Sequence, residues 1–290
     1  MLQQRLLAGS VMIAALIGVL CLDYYVLDDS LLLHLLFMGG VGLSLVEFWR
    51  LSRATGHQTF SIWGTFCGCA MVVVHYICML KPQYAANLFN GSLAVSILGA
   101  FILAAKRHQF EASLGALAVT CLGLLYVFFL PSFVLTLRHL SPSGRVGGPE
   151  WQHFGHKMVV ATIVLAKGCD VWAFLIGKML GKHKAFPQLS PGKTIEGLAA
   201  GLIGSVLTAL FLHWEVVGIL DHFSLAKTCI IGFCIGFAGI MGDLSESLLK
   251  RSAGAKDAGM VIPGFGGAMD VVDSLMVAGP VAYFLIQAML

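Results

Sequence analysis

The sequence predicts an all-α, polytopic transmembrane helical bundle of about nine spans with its N-terminus in the cytoplasm. Three observations carry that expectation. Of the 290 residues, 58% are apolar and 11% charged, against roughly 45–50% and about 25% in soluble domains. Mean hydropathy is +0.87. Apolar runs of about the 20 residues that a spanning helix needs recur at 6–27, 31–49, 61–80, 88–105, 112–136, 157–177, 197–214, 226–244 and 270–289.

Each run has its own logic. The first follows Arg5 and could pass for a secretory signal, but it continues towards Val26 and is followed by many others, so it reads as a retained span. Pro131 falls inside 112–136, where a missing backbone N–H strains a helix. The runs leave little chain for an extramembrane domain, and no linker composition or fixed-period repeat interrupts them. The chain therefore reads as one integral membrane domain, with an N-terminal transmembrane region, 1–150, and a C-terminal region, 151–290, that carries the chemistry.

Orientation follows from the positive residues. With the N-terminus inside, the inner face receives Arg5, Arg50, Arg53, Lys106, Arg107, Lys178, Lys182, Lys184, Lys193, Lys250, Arg251 and Lys256. The outer face receives Lys81, Arg138, Arg145, Lys157 and Lys227, a split of about twelve to five that obeys the positive-inside rule and puts the C-terminus outside. Asp28 and Asp29 fall in an outer loop. A net charge of +3 is too mild to point to nucleic acid. The eight cysteines sit in apolar stretches without paired C-x-x-C spacing, so neither a zinc site nor a disulfide framework is indicated.

Asp23, Glu47 and Glu111 stand singly near span ends and read as solvated or interfacial groups. From Lys167 onward ionisable residues enter spans and fill two inner loops, 178–196 and 245–269, rich in Gly, Lys and Pro. Intramembrane charge is costly and marks a functional site by default.

Three constellations follow. Lys167-Gly-Cys-Asp170 lies within the sixth run; Asp170 either faces a polar cavity or forms an ion pair with Lys167 at i,i+3. Gly181-Lys182-His183-Lys184 precedes Ser190-Pro191-Gly192-Lys193-Thr194 and Glu196-Gly197. Gly192-Lys193-Thr194 is like the end of a P-loop, but that motif needs a Gly where Pro187 stands, so the P-loop reading fails. What survives is a turn at Gly192, with Lys182, Lys184 and Lys193 offering charge to phosphate. The third constellation is Gly242-Asp243-Leu-Ser245-Glu246-Ser247, Lys250-Arg251, Lys256-Asp257, Pro263-Gly264-Phe265-Gly266-Gly267, Asp270 and Asp273. Asp243 closes one span and Asp270 opens the next at the same face, so their carboxylates can converge as hard oxygen ligands for Mg²⁺ beside basic groups. That combination suits phosphoryl or nucleotidyl transfer. Gly264, Gly266 and Gly267 allow backbone N–H groups to approach an anion.

The stretch from Ser247 through Lys250-Arg251 and Lys256-Asp257 to Pro263-Gly264-Phe265-Gly266-Gly267, Asp270 and Asp273 resembles the C-terminal signature of phosphatidate cytidylyltransferases, the CDP-diacylglycerol synthases. The block Asp170 to Gly197 is similar to a second block of that family. The resemblance covers roughly 165–285, while 1–150 matches in hydropathy only. It implies an integral enzyme of the inner (plasma) membrane that joins CTP to phosphatidate of the inner leaflet, with the active site facing the cytoplasm. It further implies Mg²⁺, with Mn²⁺ as an alternative, held by Asp243 and Asp270, and K⁺ as a neighbour. Catalytic roles fall to Asp243, Asp270, Lys250, Arg251 and Lys256. Substrate contacts fall to Asp170, Lys182, Ser190, Lys193, Thr194, Glu246, Asp257, Gly266, Gly267 and Asp273. No nucleic acid is expected, and a homodimer is left open. Phe265 and Val271 stand where the family usually has His and Arg. Two rivals remain at this stage: a CTP-dependent kinase of a lipid alcohol such as a polyprenol, and a cation-coupled transporter using Asp170 and Asp243.

Overall fold

The computed structural model describes residues 11, 14–23, 25, 30–106, 110–147, 150–214, 216–259 and 266–290. Parts of the first expected span, 6–27, lie outside the described residues, as do Arg5, Asp28, Asp29, Arg107, Pro263, Gly264 and Phe265. Residues 14–22 are helical. Beyond them run α1 (Leu31–Ala54), α2 (Ser61–Leu80), a 3-10 turn (Pro82–Tyr84), α3 (Ala85–Lys106), α4 (Phe110–Gly123), a π-helical stretch (Leu124–Phe129), α5 (Leu130–Arg138) and α6 (Trp151–Leu180). A hairpin of β1 (Lys184–Phe186) and β2 (Ser190–Thr194) follows, then α7 (Ile195–His213), α8 (Leu225–Ser252) and α9 (Ala268–Met289).

Among the described residues, eight helices are long and apolar enough to cross a membrane, and they coincide with the eight later runs of the sequence. The run at 112–136 is continuous helix from Glu111 to Arg138. Its π-helical stretch ends just before Pro131, where the ladder must adjust to a missing donor. The all-α expectation therefore holds for the spans, and one small antiparallel hairpin is added to it.

The chain divides into two compact units. The first comprises Met1–Leu130 with Leu249–Val271, the second Pro131–Leu248 with Val272–Leu290. In the first unit, large side chains of α1 enter notches made by glycine. Trp49 is 1% exposed, and a Cβ on Gly64 would lie 2.6 Å from its ring. Gly123 also faces Trp49, and Gly68 faces Leu45. The Trp49 indole N–H, which must find an acceptor when buried, donates to Thr65 Oγ1 at 3.0 Å. Two buried acids in this unit correct the solvated reading given to them. Asp23 is fully buried and accepts the amides of Leu32 and Leu33 at 3.1 and 2.8 Å, capping α1. Glu47 is 3% exposed and accepts those of Ala268 and Met269. A carboxylate in so apolar a place is tolerated because orphan N–H groups and the positive end of a helix dipole surround it.

The second unit is packed through small residues. Gly232, Gly236, Gly239 and Gly242 recur on α8 at helical spacing, with Gly232 and Gly236 against Ser205 of α7, Gly239 against Ala166 of α6 and Gly242 against the α9 backbone at Asp273 and Ser274. Apolar contact gains little within lipid, so close backbone approach supplies the packing. Ser205 reinforces it by donating to Gly232 O at 2.7 Å. Gly197 of α7 sits so near α6 that a Cβ would lie 2.7 Å from Ala173 O, whereas a Cβ on Gly192 would meet open space. Gly192 lies within strand β2; the turn expected at this glycine is formed instead by residues 187–189.

Gly197→Ala should therefore cost about 1–3 kcal/mol through overpacking and lower the melting temperature of the detergent-solubilised protein. Gly192→Ala should melt like wild type. Equal melting of the two variants would refute the close α6–α7 approach.

Candidate functional site

Helix α6 opens the second unit's polar site by placing Lys167 one turn before Asp170. A helix dictates that Lys167 and Asp170 share a face, but Lys167 Nζ lies 2.9 Å from Asp273 Oδ1 on α9. Of the two readings of Asp170, the ion pair with Lys167 gives way to a tertiary one, in which Lys167 meets a carboxylate 106 residues away. Asp170 remains within electrostatic reach of Lys167, Asp273, Asp243 and Lys193.

The hairpin brings the second cation. Thr194 ends β2 and caps α7, its Oγ1 accepting from Gly197 N at 3.2 Å, as a Thr before a helix should. Glu196 in the first turn folds back to accept the amides of Lys182 and His183 at 3.1 and 3.2 Å, and His183 Nδ1 lies 2.6 Å from its carboxylate. The hairpin is thereby tied to α7. Lys193, between these anchors, places Nζ 2.7 Å from Asp243 Oδ2. The geometry is a charge contact and not an aligned hydrogen bond. Lys182 and Lys184 project into the exposed surface, and Ser190 is half-buried at the start of β2.

Asp243 and Glu246, one turn apart on α8, meet Asp273 of α9, with one carboxylate oxygen of each within 4.8 Å of the others. Glu246 is fully buried and Asp273 8% exposed. Ser247 Oγ lies 3.5 Å from Asp243 Oδ1. Three hard oxygen donors this close repel one another unless cations intervene. Two lysines supply part of that compensation, and the donor set fits a divalent metal such as Mg²⁺.

The first unit holds the other half of the signature. Lys250 Nζ contacts Asp270 Oδ1 at 2.7 Å, with both side chains mostly buried. Asp270 Oδ2 accepts the amides of Gly267 at 2.6 Å and Ala258 at 3.1 Å. Gly266 has φ +108°, and a Cβ there would lie 2.7 Å from Asp270 Oδ2, so only glycine serves at this turn. Arg251 donates to Ala255 O at 3.3 Å. Lys256 and Asp257 are exposed, and Val271 is half-buried. The signature's residues thus separate into an Asp270–Lys250–Gly266–Gly267 group in one unit and an Asp243–Glu246–Asp273 group with Lys193, Lys167 and Asp170 in the other. Glu47 and the Lys167–Asp273 pair were not foreseen. An acid near the end of an apolar run was the only signal for Glu47.

Eight apolar helices long enough to cross a membrane define an integral, multi-pass membrane protein, and its carboxylates are paired with lysines. The chain belongs to the cytidylyltransferase family, whose sequence model matches residues 3–289 and so includes the N-terminal region. It is 30% identical over 300 residues to a phosphatidate cytidylyltransferase of Synechocystis, covering 91% of this chain and 95% of that one. It is 34% identical over 237 residues to the chloroplastic phosphatidate cytidylyltransferase 4 of Arabidopsis thaliana, covering 75% of this chain but 58% of that one. A phosphatidate cytidylyltransferase of Staphylococcus haemolyticus is 27% identical over 272 residues, 89% of this chain and 94% of its own. The chain thus spans little more than half of the plant relative and nearly all of the bacterial ones.

Proposed function

We propose that this chain transfers the cytidylyl group of CTP to phosphatidate, giving CDP-diacylglycerol and pyrophosphate. The observation that carries the reading is the Asp243–Glu246–Asp273 group within 4.8 Å, bordered by Lys193 and Lys167. A phosphate oxygen of phosphatidate attacks the α-phosphorus of CTP in line. The new P–O bond forms as the α–β bridging bond breaks, and its electrons leave with pyrophosphate. A phosphate monoester already carries most of its second negative charge near pH 7, so no strong general base is needed.

Asp243, Glu246 and Asp273 would hold Mg²⁺ or Mn²⁺, which when bound supplies charge neutralisation at the triphosphate; K⁺ beside it belongs to the same proposal. Asp270, three residues before Asp273 on α9, is proposed to be equally necessary. Lys193 and Lys167 neutralise carboxylates in the absence of substrate and are the cations nearest to incoming phosphates. Lys250, Arg251 and Lys256 add positive charge along the signature, in keeping with a reaction driven by positioning and electrostatics. Lys182, Ser190 and Thr194 with Asp170, Asp257, Gly266 and Gly267 are assigned to substrate contact.

CTP labelled separately at the α- and γ-phosphates tests the reading in purified protein with phosphatidate and Mg²⁺. The α-label should enter lipid and the γ-label should leave as pyrophosphate; γ-label in lipid would establish a lipid kinase instead. Chelation by EDTA should stop the reaction. Asp243→Asn and Asp270→Asn should each lower turnover by at least about 100-fold, the scale of losing one electrostatic stabiliser, while the folded yield persists. A folded, fully active Asp243→Asn would place the chemistry elsewhere.

The site is proposed to face the cytoplasm at the inner leaflet of the plasma membrane, as the positive-inside rule requires of its lysines. Lys184 and Lys256 are exposed and suit cysteine substitution. An impermeant maleimide added to intact cells should miss both positions and label them after lysis. Labelling in intact cells would invert the topology.

A further inference from the structure

Helix α9 begins with an incomplete cap. With Gly267 as the capping residue, Asp270 occupies the third helical position and reaches back to accept the Gly267 amide at 2.6 Å. That is the return half of a capping box. The forward half needs a side chain on the capping residue, and glycine has none. Instead Glu47, from α1, accepts the Ala268 amide through Oε1 and the Met269 amide through Oε2, each at 2.9 Å. Three successive amides at the start of α9 are thus held by two carboxylates. The fit around Glu47 is close, since a Cβ on either Gly267 or Gly259 would collide with its carboxylate. The loop on one side of the Asp270 turn and the turn itself are therefore both moulded to one acid contributed 221 residues earlier in the chain.

We infer that Glu47 is a positioning residue for the reaction: it completes the α9 cap and so fixes the Asp270 carboxylate against Lys250. Among the described residues, the hydrogen bonds of Glu47 are to backbone amides. Its effect passes through the first turn of α9, where a shift of one amide would move Asp270, and with it the helix that carries Asp273. The inference deepens the proposed function and rests on it for its kinetic consequence, but the cap can be tested without turnover. Glutamine is the informative replacement, because its carbonyl can accept one amide while its NH₂ meets the other donor to donor.

The full-length protein in detergent is measured in two ways, as wild type and as Glu47→Gln. In hydrogen exchange, peptides covering 266–272 should exchange faster in the variant, while those covering the 184–194 hairpin should not change. In cytidylyl transfer, kcat should fall about 10–100-fold, the range for residues that orient metal-site ligands, and the Mg²⁺ concentration for half-maximal rate should rise. A variant that melts earlier but keeps wild-type exchange at 266–272 and a wild-type Mg²⁺ requirement would overturn the inference, because Glu47 would then be merely structural. If Glu47→Gln does not yield folded protein, Glu47→Asp, one methylene too short to reach both amides, is expected to behave the same way and is judged by the same criteria. Wild-type protein inactive towards CTP and phosphatidate would remove the functional reading alone; exchange at 266–272 then decides, and no change there overturns the role assigned to Glu47.

Discussion

Lys193 Nζ and Asp243 Oδ2 stand 2.7 Å apart, and the second unit is arranged to make that meeting possible. Asp243 shares its surroundings with Glu246 and Asp273, and in an apolar medium three such carboxylates cannot be left to repel one another. One cation comes from a β-hairpin and the other from within a span. Lys193 is delivered by a hairpin tied down at both ends through Thr194 and Glu196, and Lys167 arrives from α6 to meet Asp273. The arrangement suits a site that exchanges partners. In the proposed reaction, the lysines that neutralise these carboxylates would turn to phosphates once a metal takes their place.

Close helix packing is the second requirement, and it serves the first. The glycines at 232, 236, 239 and 242 let α8 approach α6, α7 and α9 at backbone distance. Short side chains of Asp and Ser then reach across without a long lever. In the first unit the same economy appears as notches for Trp49 and Leu45, which fix α1 and hence the position of Glu47. Asp243, Asp270 and Asp273 each meet a lysine, whereas some buried acids meet helix N-termini. Asp23 and Glu47 belong to the second kind.

Much of this was legible in the sequence. A span announces itself through local composition, so the eight later runs reappear as helices, with ends displaced where a helix continues past the apolar stretch, as in Trp151–Leu180. Asp243, Asp273, Glu246 and Lys193 could be picked out because charge within or beside spans is conspicuous. What stayed hidden depends on partners distant in sequence. Helical spacing offered Lys167 a pair with Asp170 as one of two alternatives, and the pair that forms is with Asp273. Nothing near Glu47 in the chain shows the amides of Ala268 and Met269, and its place among apolar residues invited an interfacial reading. The hairpin was missed because Gly, Lys and Pro in a loop carry no strand alternation. Asp270 was expected beside Asp243 as a metal ligand, and its carboxylate is engaged by Lys250, Gly267 and Ala258.

The central claim is that Asp243, Glu246 and Asp273 together form a divalent-metal site. Mn²⁺ titrated into purified protein and followed by electron paramagnetic resonance tests it without relying on turnover. In the presence of CTP, wild-type protein should remove the free-ion signal, and folded Glu246→Gln should bind the ion markedly more weakly. Equal Mn²⁺ affinity in the two proteins, or no binding by wild type, would contradict the account.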